Sequence, residues 1–308
     1  MSEADPAAAA ARRRSVRIAF VALLSGALGI AFAPIFVRLS ELGPSATAFY
    51  RLSFAVPFLM LWMSLENRGA AAPRRPSRAA DYRGLILAGL FFAGDLAVWH
   101  WSIRLTSVAN ATLLANAAPI FVTLCGWLLF GERFTLTFLL GLGVALTGTA
   151  VLMGSSVSLG LDHLLGDGLG LLTAVFYAAY LLAVKRLRSE FSTATIMTWS
   201  GAVGALALLP ITLLSGEGLI APTAYGWGVL LALALLSHTV GQSLIAYALA
   251  HLPAAFTSVS LLLQPAAAAV LAWLILSEPL GPLQGLGGVV VLAGIAVAHR
   301  SVASGGSR

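Results

Sequence analysis

The sequence predicts an all-α polytopic membrane protein, with ten transmembrane helices arranged as two inverted five-helix repeats. Three observations predict this fold: a composition poor in charge, ten long apolar segments, and a pattern that recurs along the chain. Of the 308 residues, 59% are hydrophobic and 10% are charged. A soluble domain carries roughly 25% charged residues. This chain therefore has too few charges to cover the surface of a water-soluble globule.

Ten apolar segments are long enough to cross the hydrocarbon core, which takes about 20 helical residues per crossing. We number them spans 1 to 10 and expect them at residues 16–38, 44–65, 83–105, 108–130, 134–153, 168–188, 192–215, 224–250, 254–277 and 280–299. We expect residues 1–15 to form a disordered cytoplasmic N-terminus, 154–167 a loop between the repeats, and 300–308 a cytoplasmic tail.

Spans 1 and 2 begin in different ways. Span 1 follows a cluster of arginines, an arrangement that signal peptides share. Its apolar run continues past the small residues at 31–33 to Val37, so we interpret it as a transmembrane helix. Span 2 begins at Pro44, a residue favoured in the first helical turn, and carries Tyr50 on one face.

Spans 5 and 10 are rich in glycine and lack central polar residues, which is typical of scaffold helices.

Span 3 carries an acid, a histidine and two tryptophans within an apolar segment: Asp95, Trp99, His100 and Trp101. An ionisable group inside a span costs about 2.5–3.5 kcal/mol on insertion scales and usually faces a cavity. Asp95 would hold a substrate ammonium there or accept a proton; the alternative is a carboxylate that pairs with another helix. The two tryptophans beside His100 would form an aromatic wall for a substrate, or belong to the interfacial aromatic belt.

The other candidate substrate-binding residues are polar or aromatic side chains of spans 2, 4, 6, 8 and 9: Tyr50, Asn116, Tyr177, Tyr180, His238, Gln242 and Gln264. Asn116 and Gln264 would bind a carboxylate or bridge neighbouring helices. His238 and Gln242 share one face of span 8, because they are four residues apart. His238 is interpreted either as a hydrogen-bonded core histidine or as a proton carrier.

The basic residues indicate the orientation of the chain. If all ten segments cross the membrane, fifteen of the 18 lysines and arginines fall on one side, and Arg38, Arg51 and Arg104 lie on or near the other. The positive-inside rule places the first side in the cytoplasm. We therefore expect a multi-pass protein of the cell inner (plasma) membrane with both termini cytoplasmic. Since the positive charge is spread over these loops, it does not indicate nucleic-acid binding.

A shift of 146 residues superposes spans 4 and 5 on spans 9 and 10. The matching pairs are Pro119 and Pro265, Trp127 and Trp273, Glu132 and Glu278, Gly141 and Gly287, and Gly148 and Gly294. A repeat of five spans, an odd number, must have the opposite orientation to its copy. Inverted repeats are a transporter design in which the halves exchange conformations around a central site. We predict that Pro119 and Pro265 form matched hinges beside that site; prolines that membrane helices simply tolerate are the alternative.

The segment Phe130-Gly131-Glu132 and its copy Ser277-Glu278, with the paired prolines and glycines, resemble the drug/metabolite transporter superfamily. The resemblance implies two EamA-type five-helix domains at 16–153 and 168–299, a central cavity lined by spans 1–4 and 6–9, and peripheral spans 5 and 10. The aromatic end of span 3 is similar to that of the YddG-like exporters of aromatic amino acids. Secondary transport is therefore implied: the export of small metabolites, foremost neutral and aromatic amino acids, by alternating access.

Other functions stay open at this point. The substrate could be another small metabolite or a drug, and the protein could be a channel or an intramembrane enzyme. The segment Trp199-Ser200-Gly201 with His238 vaguely resembles a serine protease of the membrane, but no oxyanion motif accompanies it. We expect no enzyme activity, no catalytic residue, no cofactor and no metal. The expected partners are small-molecule amino-acid substrates and the lipid bilayer, without nucleic acid; the oligomeric state stays open, and a monomer fits.

The charge distribution predicts the position of the C-terminus. An alkaline phosphatase fused after residue 308 should be inactive, because the enzyme works only outside the cytoplasm, whereas a fluorescent protein fused there should fluoresce. A phosphatase inserted in the loop at 154–167, which contains no lysine or arginine, should be active. Activity of the C-terminal phosphatase fusion would contradict the predicted orientation.

Overall fold

The structure, a computed structural model, describes residues 6–68, 73–154 and 163–305. Within these residues, ten helical segments are long and apolar enough to cross a membrane, and they confirm the predicted all-α membrane fold. Spans 1 to 10 have the bounds Arg13–Leu39, Pro44–Glu66, Ala79–Leu105, Asn110–Phe130, Leu136–Met153, Leu164–Leu187, Thr193–Leu214, Ala224–His251, Ala254–Leu276 and Pro282–Ser301.

The first helix is longer than the sequence predicts. It begins at Pro6 and continues to Ala31, so residues 6–15 are helical where the sequence analysis expects disorder. Proline is favoured in a first helical turn, and the run of alanines that follows Pro6 has the highest helix propensity of any residue type. The helix of span 10 likewise continues past the membrane-length segment, from Pro282 to Gly305.

Four spans are interrupted close to a proline, which removes a backbone donor and clashes with the preceding turn. Spans 1, 2, 4 and 9 each consist of two helices: Pro6–Ala31 and Ala33–Leu39, Pro44–Ser53 and Ala55–Glu66, Val108–Ala115 and Ala118–Phe130, Ala254–Ser260 and Leu263–Leu276. Pro210, in contrast, lies inside the continuous helix Thr193–Leu214. A proline is therefore not sufficient to interrupt a span in this bundle.

Span 8 contains a different irregularity. Its outer parts are α-helices, Ala224–Ala232 and Ser243–His251. Between them the chain forms a π-helix, Leu233–Gln242. The hydroxyl of Thr239 donates to the carbonyl oxygen of Ala234, five residues earlier, over 3.0 Å. A π-helical turn is wider than an α-helical one and is found frequently at functional sites.

The internal repeat extends to the backbone conformation. Gly131 and Ser277 end the helices of spans 4 and 9, and both adopt left-handed φ angles, of 65° and 55°. The next residues, Glu132 and Glu278, donate their backbone N–H groups six residues back, over 3.0 and 3.3 Å. Glycine adopts this conformation without strain, whereas serine does so uncommonly. The two repeats therefore terminate equivalent helices in the same way despite a different residue at the turn.

The packing of the spans has the pattern expected for two interlocked inverted repeats. Span 1 packs against spans 8 and 9, and its counterpart, span 6, packs against the counterparts of those two, spans 3 and 4. Span 2 contacts span 7, and span 5 contacts span 10, so these four pack against their own counterparts. Exchanging the two repeats leaves this set of contacts unchanged, as a pseudo-two-fold axis requires.

Spans 5 and 10 approach each other backbone to backbone. A Cβ atom added to Gly148 would lie 2.5 Å from the backbone nitrogen of Val291, and one added to Gly294 would lie 2.4 Å from that of Ala145. Glycines permit this approach, and in lipid close packing is a main source of helix association. The glycine pattern of these spans, which predicts scaffold helices, thus forms a tight seam.

We predict that Gly148→Ala lowers the thermal unfolding temperature of the detergent-solubilised protein. The added Cβ must separate two backbones, and overpacking of this kind costs about 1–3 kcal/mol. Gly143 is the matched control, because it lies on the same span and a Cβ there would meet nothing within 4 Å. Gly143→Ala should leave the unfolding temperature unchanged or raise it slightly, since alanine favours helix. Equal unfolding temperatures for the two variants would contradict the close backbone packing of spans 5 and 10.

Candidate functional site

A cavity of about 210 Å³ lies between spans 1, 2, 3, 4, 6, 8 and 9. It is smaller than the roughly 300–1,000 Å³ pockets that hold drug-sized ligands, so its size suits a small metabolite. Its lining includes one cation, one anion and several amide, hydroxyl and aromatic groups: Arg51, Asp95, Phe92, Trp99, Thr112, Asn116, Thr173, Tyr177, Gln242 and Gln264.

The cavity occupies one half of the bundle. Val37 lies near the end of span 1, Arg51 in the first half of span 2, and Thr112 near the start of span 4. All three positions are on the face opposite the described chain ends. The other half of the bundle is filled by apolar side chains that are at most 1% exposed: Leu85, Leu181, Val184, Ile196, Met197, Leu249, Phe256 and Val259. The cavity therefore leads toward one face, and packed side chains separate it from the other.

Arg51 and Asp95 place opposite charges on adjacent walls of the cavity. Electrostatic attraction acts between them, yet among the described residues neither forms an ion pair or a hydrogen bond. The Nε atom of Arg51 is buried and has no partner among the described residues, and its guanidinium carbon lies 6.0 Å from the centre of the Phe92 ring. A nearby opposite charge reduces the cost of each ionised group inside the membrane. Among the described residues, Asp95 therefore has no direct ion pair with another helix, and its role stays a prediction.

Aromatic rings separate the cavity from the packed half of the bundle. Phe92 is 3% exposed, and it stacks on Tyr180 with ring centres 4.7 Å apart and on His238 with centres 5.4 Å apart. Tyr177 extends the row, with its ring centre 6.1 Å from that of Tyr180. The side chain of Gln242 lies beside both tyrosine hydroxyl groups. These rings form a rigid apolar floor with an amide and two hydroxyl groups at one side.

His238 lies in this floor and belongs to the π-helix of span 8. It is fully buried, and no described residue forms a hydrogen bond with either of its ring nitrogens. The structure therefore does not show the hydrogen-bonded core histidine that was one interpretation of the sequence. Its role as a proton carrier stays a prediction.

The structure brings six of the predicted site residues into the wall of the cavity: Asp95, Trp99, Asn116, Tyr177, Gln242 and Gln264. The Nδ2 group of Asn116 donates to the carbonyl oxygen of Thr112, four residues earlier, over 2.8 Å. The Nε2 group of Gln264 is buried without a partner among the described residues. Tyr180 and His238 lie behind the lining, in the aromatic floor. The side chain of His100 lies outside the described part of the structure.

Two predicted residues lie away from the cavity. The Tyr50 hydroxyl donates to the carbonyl oxygen of Leu219 over 2.6 Å, and its ring packs against Trp227 with ring centres 5.3 Å apart. Trp101 is 50% exposed and lies against Arg104, whose guanidinium carbon is 5.9 Å from the centre of the indole. Its exposure agrees with the alternative of an interfacial belt residue. Tyr50 instead ties span 2 to the loop before span 8.

The two predicted hinge prolines lie beside helix interruptions. Pro119 is buried at the start of the second helix of span 4. Pro265 occupies the equivalent position in span 9 and lines the cavity. Both prolines therefore lie beside a break in the helix, and the predicted kinks stay a prediction. That the two interruptions act as hinges during a conformational change stays a prediction.

Sequence reasoning missed Arg51 and Phe92. Arg51 lies seven residues after Pro44, within the apolar length of span 2. The cost of an ionised group inside a span, which singled out Asp95, applies equally to Arg51. The distribution of basic residues instead places Arg51 with the charges on or near the outer side. Phe92 carries no comparable signal, because one phenylalanine among many apolar residues does not indicate which side of its helix faces a cavity.

The comparisons with known proteins agree on a family. The EamA-like transporter family model matches residues 17–154 and 164–299. A probable terminal-alkyne amino-acid exporter of Streptantibioticus cattleyicolor is 29% identical over 274 residues, which cover 88% of this chain and 89% of that protein. The pseudopaline exporter CntI of Pseudomonas aeruginosa is 28% identical over 239 residues, which cover 77% of this chain and 80% of that protein.

A solved crystal structure has the same fold. It superposes with a TM-score of 0.76 at 19% sequence identity, and the alignment covers 94% of this chain and 99% of the other. An uncharacterized transporter of Archaeoglobus fulgidus is 28% identical over 273 residues, which cover 85% of this chain and 90% of that protein. The similarity to these proteins therefore extends over both repeats.

The position of the cavity predicts a pattern of chemical labelling. In a Cys125→Ser background, Thr112→Cys should react with a membrane-impermeant maleimide added at the face opposite the chain ends, because Thr112 lines the cavity. Thr257 is the matched control: it is fully buried in the packed half, so Thr257→Cys should stay unlabelled under the same conditions. Equal labelling of both cysteines would show that the packed half is not closed.

Proposed function

Because the chain belongs to the EamA-like transporter family, we propose that it is a secondary transporter that exports neutral and aromatic amino acids by alternating access. The observation that carries the proposal is a small cavity in which one cation, one anion and an aromatic surface lie together. Each of these features matches one part of an aromatic amino acid. Two relatives, a probable terminal-alkyne amino-acid exporter and a pseudopaline exporter, support export as the direction.

The aromatic part of the substrate would rest on Trp99 and Phe92. Both residues line the cavity, and Phe92 is fixed by its stacking on Tyr180 and His238. Aromatic pairs contribute about 0.5–1.5 kcal/mol beyond the burial of their area. A rigid ring in the wall also loses little conformational freedom when a second ring packs against it. These two residues therefore favour aromatic over small side chains.

Alternating access is supported by the one-sided cavity and by the repeat. A carrier must expose its site to one face while the other is closed, and the packed apolar half of the bundle supplies that closure. In an inverted repeat, the opposite state arises when each half adopts the conformation of the other. The interruptions beside Pro119 and Pro265 occur in equivalent spans that contact different parts of the cavity. They are positions where the backbone can bend without breaking regular hydrogen bonds.

The experiment is counterflow in proteoliposomes. Vesicles loaded with unlabelled phenylalanine should accumulate radiolabelled phenylalanine, and the exchange should saturate, as a channel's flux would not. A panel of other amino acids and of unrelated metabolites tests the substrate class. If no amino acid exchanges while another metabolite does, the amino-acid assignment fails and the alternative of another small-metabolite exporter replaces it.

Trp99→Ala should weaken counterflow of phenylalanine by about two- to tenfold, the range that 0.5–1.5 kcal/mol of stacking corresponds to. Counterflow of alanine should change less, because a methyl group does not stack. Trp101→Ala is the matched control, since Trp101 is half-exposed and lies outside the cavity lining. It should leave the ratio of phenylalanine to alanine counterflow unchanged. If Trp101→Ala changes this ratio and Trp99→Ala does not, Trp99 does not form the aromatic wall.

A further inference from the structure

We propose that Arg51 and Asp95 form a charge clamp for a zwitterion, with Arg51 binding the carboxylate of the ligand and Asp95 its ammonium group. This inference rests on the proposed function and names the chemical class that the site selects. Selection is for compounds that carry both charges and are neutral overall. Amines, carboxylic acids and amino acids with one blocked end would be rejected.

The two charges have no direct partner in the part of the chain that the structure describes. Arg51 and Asp95 line the same cavity on neighbouring spans, and neither is satisfied by a hydrogen bond or ion pair to a described residue. The Nε donor of Arg51 is buried, and no described residue accepts from it. Buried ionised groups are costly unless they are paired and hydrogen-bonded. A ligand with a charge at each end would satisfy both groups at once.

The guanidinium carbon of Arg51 lies 6.0 Å from the centre of the Phe92 ring, and Phe92 stacks on two neighbouring rings. A guanidinium in the cavity wall suits a carboxylate, which it can bind with two parallel hydrogen bonds. Asp95 lies one helical turn from Trp99 on span 3, so an ammonium beside Asp95 brings the ligand's side chain toward the indole.

The two repeats differ at these positions. A shift of 146 residues places Gly241 at the position equivalent to Asp95, and a shift of 146 or 147 residues places Met197 or Thr198 at the position equivalent to Arg51. None of these residues is charged, and Met197 is fully buried with its sulfur 3.7 Å from the hydroxyl of Tyr180. The charges thus belong to the first repeat alone, whereas the prolines, glutamates and glycines that build the fold are duplicated. A feature that breaks the internal symmetry serves a ligand with two different ends rather than the fold itself.

Amide groups complete the site. Gln264 lines the cavity with a buried Nε2 group that no described residue binds, and it lies on the opposite repeat from the charged pair. Gln242 lines it beside the hydroxyl groups of Tyr177 and Tyr180. Neutral donors and acceptors of this kind orient a ligand without changing the net charge of the site. The described lining residues therefore carry one positive and one negative charge, which balance.

The test compares three compounds that share a benzyl side chain: phenylalanine, phenylalanine methyl ester and N-acetylphenylalanine. The ester lacks the carboxylate, and the acetyl compound lacks the ammonium. In wild-type proteoliposomes, phenylalanine should compete for counterflow about tenfold or more better than either derivative, because each derivative leaves one charge of the cavity unpaired. Equal competition by all three compounds would overturn the clamp while leaving amino-acid transport in place.

Two neutralising variants should shift this ranking in opposite directions. Asp95→Asn leaves the cavity positive, so the anionic N-acetylphenylalanine should compete better, relative to phenylalanine, than it does in the wild type. Arg51→Gln leaves the cavity negative, so the cationic methyl ester should compete better, relative to phenylalanine, than it does in the wild type. Arg104→Gln is the matched control: Arg104 lies outside the cavity, against Trp101 and Glu217, and its variant should keep the wild-type ranking. If both variants bind all three compounds equally weakly, at equal amounts of folded protein, Arg51 and Asp95 form a structural pair and the clamp is overturned.

If a variant fails to fold, binding of the three compounds to the wild-type protein still tests the clamp. Thermal stabilisation of the purified protein by each compound reports binding without transport. Phenylalanine should raise the unfolding temperature, and the two derivatives at the same concentration should raise it less. If phenylalanine neither binds nor exchanges, the proposed function fails and the clamp fails with it. If it binds no better than its derivatives, the clamp alone fails.

Discussion

Lipid removes the hydrophobic effect as a force between helices, so this bundle depends on how closely its backbones approach one another. The seam of spans 5 and 10 shows the closest approach, because Gly148 and Gly294 lie against backbone atoms of the facing helix. Gly26 and Gly241 make a similar contact between spans 1 and 8, where an added Cβ would lie 2.7 Å from a carbonyl oxygen. The first contact joins two spans that do not line the cavity, whereas the second lies beside it, because Gly241 precedes the cavity residue Gln242. Close backbone contacts therefore hold the bundle together around polar residues and a cavity.

The same solvent explains where the helices become irregular. A backbone group left unsatisfied in hydrocarbon costs several kcal/mol, so irregular backbone at membrane depth occurs beside cavities or inside protein. The interruption in span 9 and the π-helix of span 8 both border the cavity, through Pro265 and Gln242. Spans 5 and 10, which do not line the cavity, are regular. Polar side chains and irregular backbone thus occur together at the cavity.

The sequence predicted which segments cross the membrane and which are duplicated, because length, composition and the matched Glu132 and Glu278 carry that information. It predicted the site less well. Trp99 and Trp101 are two residues apart, hence about 200° apart around the helix, and only one can face the cavity. Span 3 is apolar on every side, so no hydrophobic face shows which tryptophan that is. Its rotation depends on contacts with spans 6 and 7, which a single sequence does not reveal. Arg51 differs from the tryptophans, because its position within the apolar length of span 2 is a signal that the sequence does carry.

The balance of Arg51 and Asp95 has an electrical consequence. A single charge that crosses the whole membrane field gains or loses about 2.3 kcal/mol for each 100 mV of potential. With both groups ionised, the cavity carries no net charge, and a zwitterion adds none. The work done by the field on one group offsets the work done on the other, whether the cavity is empty or filled. The resting voltage of the cell would then neither drive nor oppose the passage of the ligand, and the direction of flux would follow the concentrations on the two sides.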